Sequence, residues 1–176
     1  MKKYYSGVGS RETPEFVCAL MSEVAEYLEQ KGYILRSGGA KGADQAFEDG
    51  VGYDINKEIW LPWHKFEGNL SPLLPSPKAF EIASKIHPVW PRLSKGAQAL
   101  HARNCHQVLG KDLKTKSEFL ICWTSTGKPN GGTATAIKLA LNNSIPVLNL
   151  GKWDNEASMR DALEDFSILN GEYNDL

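Results

Sequence analysis

Cysteine is scarce in this 176-residue chain, and neither sign of charge dominates it. The three cysteines, Cys18, Cys105 and Cys122, are odd in number, widely spaced and without a CxxC pair. That argues against a disulfide framework and agrees with a reducing compartment. Formal net charge is −1, so no global basic field draws in nucleic acid, although a local patch stays open. No apolar run is long enough to cross a bilayer, and Met1 to Gly7 is too short in its apolar part for a signal peptide. A cytoplasmic protein without membrane contact is the expectation. A GxxxxGK[ST] box is missing, which argues against P-loop NTP hydrolysis. His101 and Cys105, four apart beside His106, lack the further ligands of a zinc site, so ordinary packing is expected and no metal.

What is present is an ordinary globular composition, 41% hydrophobic and 23% charged, in a length that suits one domain. Strand-like and helix-like runs alternate. Lys3 to Val8 reads as a strand, followed by a helix with Thr13 as N-cap, Pro14 at its first position and a stripe of Phe16, Leu20, Val24 and Tyr27/Leu28. Tyr33 to Arg36 reads as a second strand before a helix to about Gly50, and Ile55 to Pro62 as a third. Ser117 to Thr124 is the most continuous apolar run, of the kind buried on both faces. A helix then carries Ala136, Ile137, Ala140 and Leu141. A last strand spans Ile145 to Leu150, an amphipathic helix Asn155 to about Leu169, and a polar tail Asn170 to Leu176. Such alternation implies βαβ units: an α/β, Rossmann-like three-layer sandwich with a mainly parallel sheet, in a single domain over 1–176.

Between about 64 and 93 the alternation stops, and five of the nine prolines fall there around a helical piece, Lys78 to Ile86. This excursion reads as a loop beside the site. Its aromatics Trp60, Trp63, Phe66 and Trp90 either anchor it on the core or stack on a flat ligand. A helix from Ser94 to Leu109 follows, with Ala97, Leu100, Cys105 and Val108/Leu109 inward.

Three turns follow strands and open helices: Gly7 to Arg11, Ser37 to Gly42, and Thr124 to Thr133. Glycine there tolerates positive φ and lets backbone N–H groups approach an anion at a helix N-terminus. In open parallel sheets such turns converge beyond the carboxyl ends of the strands. Phosphate would be met by Gly9, Ser10 and Arg11, by Ser37, Gly38, Gly39 and Gly42, and by Thr124, Gly131, Gly132 and Thr133, with Lys41 as a point charge. On this reading Gly39→Val blocks binding and leaves the fold intact. Ser6, Ser10 and Ser37 lack a positioned base for nucleophilic work, Trp123 reads as core edge, and Asp54, Glu58 and the acidic tail as solvated surface.

Ser37-Gly38-Gly39-Ala40-Lys41-Gly42-Ala43-Asp44, then Ala102-Arg103-Asn104, then Asn130-Gly131-Gly132-Thr133-Ala134-Thr135 ahead of a helix, resemble the SLOG superfamily. That group includes the Smf/DprA DNA-processing proteins, the LOG cytokinin-activating proteins and small stand-alone members with an SGGAxGAD box. The resemblance runs from Tyr4 to about Leu150, outside the excursion. It implies a nucleotide-type ligand with no required cofactor, and a homo-oligomer. By resemblance, Asp44 is a structural or ribose-facing carboxylate, Arg103 and Asn104 lie beside the ligand's phosphate, and Gly131, Gly132, Thr133 and Thr135 form a phosphate turn. LOG-type hydrolases carry PGGxGTxxE with a catalytic glutamate. Here Lys138 stands in that place and Ala134 replaces the third glycine. Glycosidic cleavage needs a carboxylate, which Glu12, Asp44 or Glu48 would have to supply. Three readings stay open: a nucleotide sensor or sequestering module, a nucleotide N-glycosidase or phosphoribohydrolase, and DprA-like single-stranded DNA binding, which the charge disfavours.

Overall fold

The computed structural model describes residues 1–166. Five strands, β1 (Lys3–Gly7), β2 (Tyr33–Ser37), β3 (Lys57–Ile59), β4 (Leu120–Cys122) and β5 (Val147–Asn149), pair in parallel in the order β3-β2-β1-β4-β5. The order reverses between β1 and β4, which makes their carboxyl ends the switch point of the sheet.

Helices α1 (Glu15–Gln30), α2 (Ala43–Gly50) and α6 (Glu156–Asp165) share one buried cluster with Tyr5, Leu35 and Ile121. Helices α3 (Pro77–Ile86), α4 (Lys95–Leu109) and α5 (Ala134–Asn142) share another with Val8, Leu120 and Cys122. Successive residues of β4 thus feed opposite layers, as strand alternation requires. The result is an α/β, Rossmann-like three-layer sandwich.

Several boundaries differ from the sequence reading. Pro14, not Thr13, takes the N-cap position of α1, without a side-chain cap. The Thr13 hydroxyl instead donates to the Ser10 carbonyl at 2.6 Å and closes the first turn. Phe16 lies on the exposed side of α1, where Val17 and Met21 complete the buried stripe. Ile55 belongs to a 3-10 turn and is exposed, so β3 is shorter than expected. Leu141 is exposed and Leu139 buried in α5. In β4 only three residues form regular strand, although Glu118 N–H still donates to Tyr4 O at 2.8 Å. Glu58 is no free surface group: it accepts from Arg36 Nε at 3.1 Å, and that arginine is 2% exposed beneath the Tyr4 ring. The end of the last predicted helix and the tail Asn170 to Leu176 lie outside the described residues.

The proline-rich excursion folds back on the sheet edge. Leu61 N–H donates to Leu73 O at 2.9 Å, and α3, capped by Ser76, packs on α4. Trp60 stacks on His106 of α4 with ring centroids 4.3 Å apart, and Phe66 joins the core. Trp60, Phe66 and Trp90 are therefore anchors, while Trp63, edge-on to Phe66, stays about half exposed at 45%.

Candidate functional site

A crevice of about 340 Å³ opens at the switch point. Its walls come from the turn after β1 (Val8 to Arg11), from Ala40 and Asp44 at the head of α2, from one face of α4, and from Asn130 to Thr133 ahead of α5. Leu100, Arg103, Asn104 and Gln107 all reach it because positions three, four and seven apart share a helix face.

Gly9 has room for no side chain, since a Cβ there would stand 2.6 Å from Ala43 Cβ. The first turn can therefore lie between α2 and the end of β4, and Ser10 N–H donates to Trp123 O at 3.1 Å. Ser10 and Arg11 line the crevice, and Arg11 is exposed at its rim above the Phe66 ring.

The second turn is placed otherwise than the sequence suggested. Ser37, Gly38 and Gly39 are buried behind the wall, and among this turn's residues Ala40 lines the crevice. Its glycines serve close packing. Gly39, at φ 70°, would press a Cβ against Leu61 at 2.7 Å, and a Cβ on Gly38 would collide with Gln107 and Arg103. Gly42, at φ 83°, lies against the Ser10 and Arg11 backbone. Lys41 is exposed on another face, 3.9 Å from Glu67. Gly39→Val is consequently a fold defect rather than a clean binding defect.

The third turn is the open one. Gly131–Thr133 form a 3-10 turn that runs directly into α5, and Cβ atoms on Gly131 or Gly132 would meet nothing within 4 Å. Asn104 Nδ2 holds the turn by donating to Gly132 O at 2.7 Å. Thr124 and Thr135 stand apart from the crevice. The Thr124 hydroxyl donates to Lys128 O at 2.8 Å, and the Thr135 hydroxyl pairs with His101 Nδ1 at 2.8 Å.

Arg103 is buried and heavily engaged. Its Nη1 donates to the Gly38 carbonyl and, at 3.2 Å, to Trp60 O, while Nε donates to Asn104 Oδ1 at 2.9 Å. Only Nη2 remains, 4.0 Å from Asp44 Oδ2. Burial pushes the Asp44 carboxyl up to about 6, against the opposing pull of Arg103 and of the Ala40 and Gly9 N–H groups. Of the three carboxylates considered for catalysis, Asp44 alone lines the crevice. Glu12 is exposed, and Glu48 accepts from Asn69 Nδ2 at 3.1 Å and pairs with Lys57 elsewhere.

Among the described residues no three His, Cys, Asp or Glu side chains come together as a metal site, and no helix is long and apolar enough to cross a membrane. Sequence reasoning missed Gln107, Leu100 and Ala136. The first two were within reach, standing four after and three before Arg103 on one helix.

No family model matches the chain, and no curated protein matches it. One solved structure, that of DNA processing protein A from Helicobacter pylori, described for its single-stranded DNA binding mode, is similar at 16% identity with a TM-score of 0.55. The match covers 98% of this chain and 76% of that one. At this identity the likeness shows the fold.

Proposed function

We propose that the chain binds single-stranded DNA, seating a backbone phosphate in the switch-point crevice between Arg11, Arg103 and the Asn130 to Thr133 turn. The observation that carries this is the convergence of two guanidinium groups with the N-terminus of α5. Arg11, Arg103 and Asp44 are the charged residues of the lining, so the crevice is net positive in a chain of net charge −1. Helix N-termini and arginine forks both suit phosphate oxygens. The fold is shared with a protein described as binding single-stranded DNA, and that likeness favours a strand over a free nucleotide.

A free nucleotide is the second reading. A crevice of about 340 Å³ holds one nucleotide and not several, and the low net charge offers no long basic track. An N-glycosidase reading would rest on Asp44.

The test is fluorescence anisotropy with labelled oligothymidylates of increasing length at two salt concentrations, against unlabelled nucleoside monophosphates. Affinity that grows with length, falls with salt and drops with Arg11→Ala supports strand binding. Monophosphates that compete as well as strands would replace it with the free-nucleotide reading.

A further inference from the structure

Gln107 is 1% exposed, lines the crevice, and its side-chain amide has no hydrogen-bond partner among the described residues. Among the described residues the sealed side-chain polar atoms without a partner are Tyr5 Oη and Trp60 Nε1. Gln107 by contrast belongs to the crevice lining, with its Nε2 beside Gly38 and Arg103 Nη1. Gly38 clears the space for it, because a Cβ there would collide with Gln107 Nε2 and Arg103 Nη1. A buried amide without partners is costly, so its place at the floor points to a ligand group that completes it.

We infer that the crevice floor is a base-reading subsite, in which the Gln107 amide hydrogen-bonds the edge of one nucleobase. This rests on the phosphate-binding reading and adds a selectivity to it. A primary amide offers a donor and an acceptor in one plane, and a nucleobase edge presents the complementary pair, as adenine does with N6 and N7. A sugar hydroxyl satisfies one of the two at a time. Phosphate is disfavoured beside Gln107 because Asp44 lines the crevice there, and it is met instead where Arg11, the remaining Nη2 of Arg103 and the glycine turn converge. Val8, Ala40, Leu100 and Ala136 supply apolar wall for the faces of a base.

The experiment compares labelled homopolymers of A, C and T with an abasic strand of equal length, on the whole protein and on Gln107→Met, which keeps the length of the side chain without its polar atoms. The native protein should prefer one base by about tenfold, and Gln107→Met should bring the homopolymers within about twofold of one another. Nuclear magnetic resonance gives a readout that needs no variant: the Gln107 side-chain NH₂ signal should shift with the preferred homopolymer and not with the abasic strand. Equal binding of all strands, abasic included, would overturn base reading and leave the phosphate site standing. Binding of no strand would overturn both.

Discussion

Arg103 Nη2 lies 4.0 Å from Asp44 Oδ2, with side chains 7% and 4% exposed. The same guanidinium holds the Gly38 and Trp60 carbonyls and, through Asn104, the turn at Gly132. One side chain of α4 thus fixes the strand ends around the crevice. Its cost lies in desolvation, which lowers the arginine's own affinity for its proton. Arg103→Leu should lose about 3–5 kcal/mol in urea unfolding, because it strands a buried carboxylate and two carbonyls. Arg103→Lys should recover little of this, since one ammonium cannot reach the acceptors that a planar fork of donors serves together. A Lys variant as stable as the parent would refute the fork.

The two kinds of glycine should separate in one experiment. Gly38→Ala meets Gln107 and Arg103 and should destabilise by about 1–3 kcal/mol. Gly132→Asp meets nothing within 4 Å and places a carboxylate ahead of α5, where the helix dipole favours it by about 0.3–1 kcal/mol. It should melt no lower than the parent yet bind oligothymidylate at least about tenfold more weakly, by repelling phosphate. Unchanged binding would remove the third turn from the site.

These glycines also show how far the sequence could be read. Alternating runs and strand-end turns are local signals, so the parallel sheet and the switch-point crevice were legible. Whether a glycine serves a ligand or a neighbour depends on what packs against it. Nothing in Ser37 to Gly42 announces that Arg103 and Gln107, some sixty-five residues away in the chain, occupy the space above Gly38. Glu58 likewise reads as solvated surface, yet it accepts from Arg36, a buried side chain that Thr115 and Ser117 also hold. Helix periodicity did hold the clue to Gln107, because a residue four after Arg103 must share its face.

Asp44 should make binding depend on pH. Its carboxyl, raised to about 6 chiefly by burial, faces Arg103 from α4, the Gly9 and Ala40 N–H groups, and Glu48 on its own helix. Below that pH the crevice keeps both arginines and loses its one negative charge, so oligothymidylate should bind roughly three- to tenfold tighter at about pH 5 than at about pH 7.5. Asp44→Asn should bind at the tighter level throughout. For stability the sign is the same. A carboxyl with a raised folded pKa favours the native state fully below the unfolded value of about 4, and that contribution is lost as pH rises to about 6. A parent and an Asp44→Asn variant with parallel pH profiles would exclude Asp44 as the titrating group.

His106 should act in the opposite direction, on the excursion. Its Nδ1–H donates to Gly110 O at 2.9 Å, which leaves Nε2 to accept from Ser76 N–H at 3.1 Å, while the ring stacks on Trp60. Ser76 in turn caps α3. Burial holds this histidine below its ordinary pKa, with Arg36 adding to the effect and Glu58 and the Gly110 bond opposing it. A depressed histidine stabilises the fold above the unfolded value of about 6.5, and that stability is lost as pH falls through the folded one. Protonated Nε2 can no longer accept from Ser76, so the head of α3 should open in acid. Because Asp44 gains over the same range, a global melting curve would blur the two. Hydrogen exchange resolves them: amides at the start of Pro77–Ile86 should exchange faster at about pH 4.5 than their intrinsic chemistry predicts. His106→Gln, which keeps an acceptor without a titrating group, should remove that acid step. The same step in the variant would place the switch elsewhere, with His101, lowered to about 4 by burial and its neighbour His87, next in line.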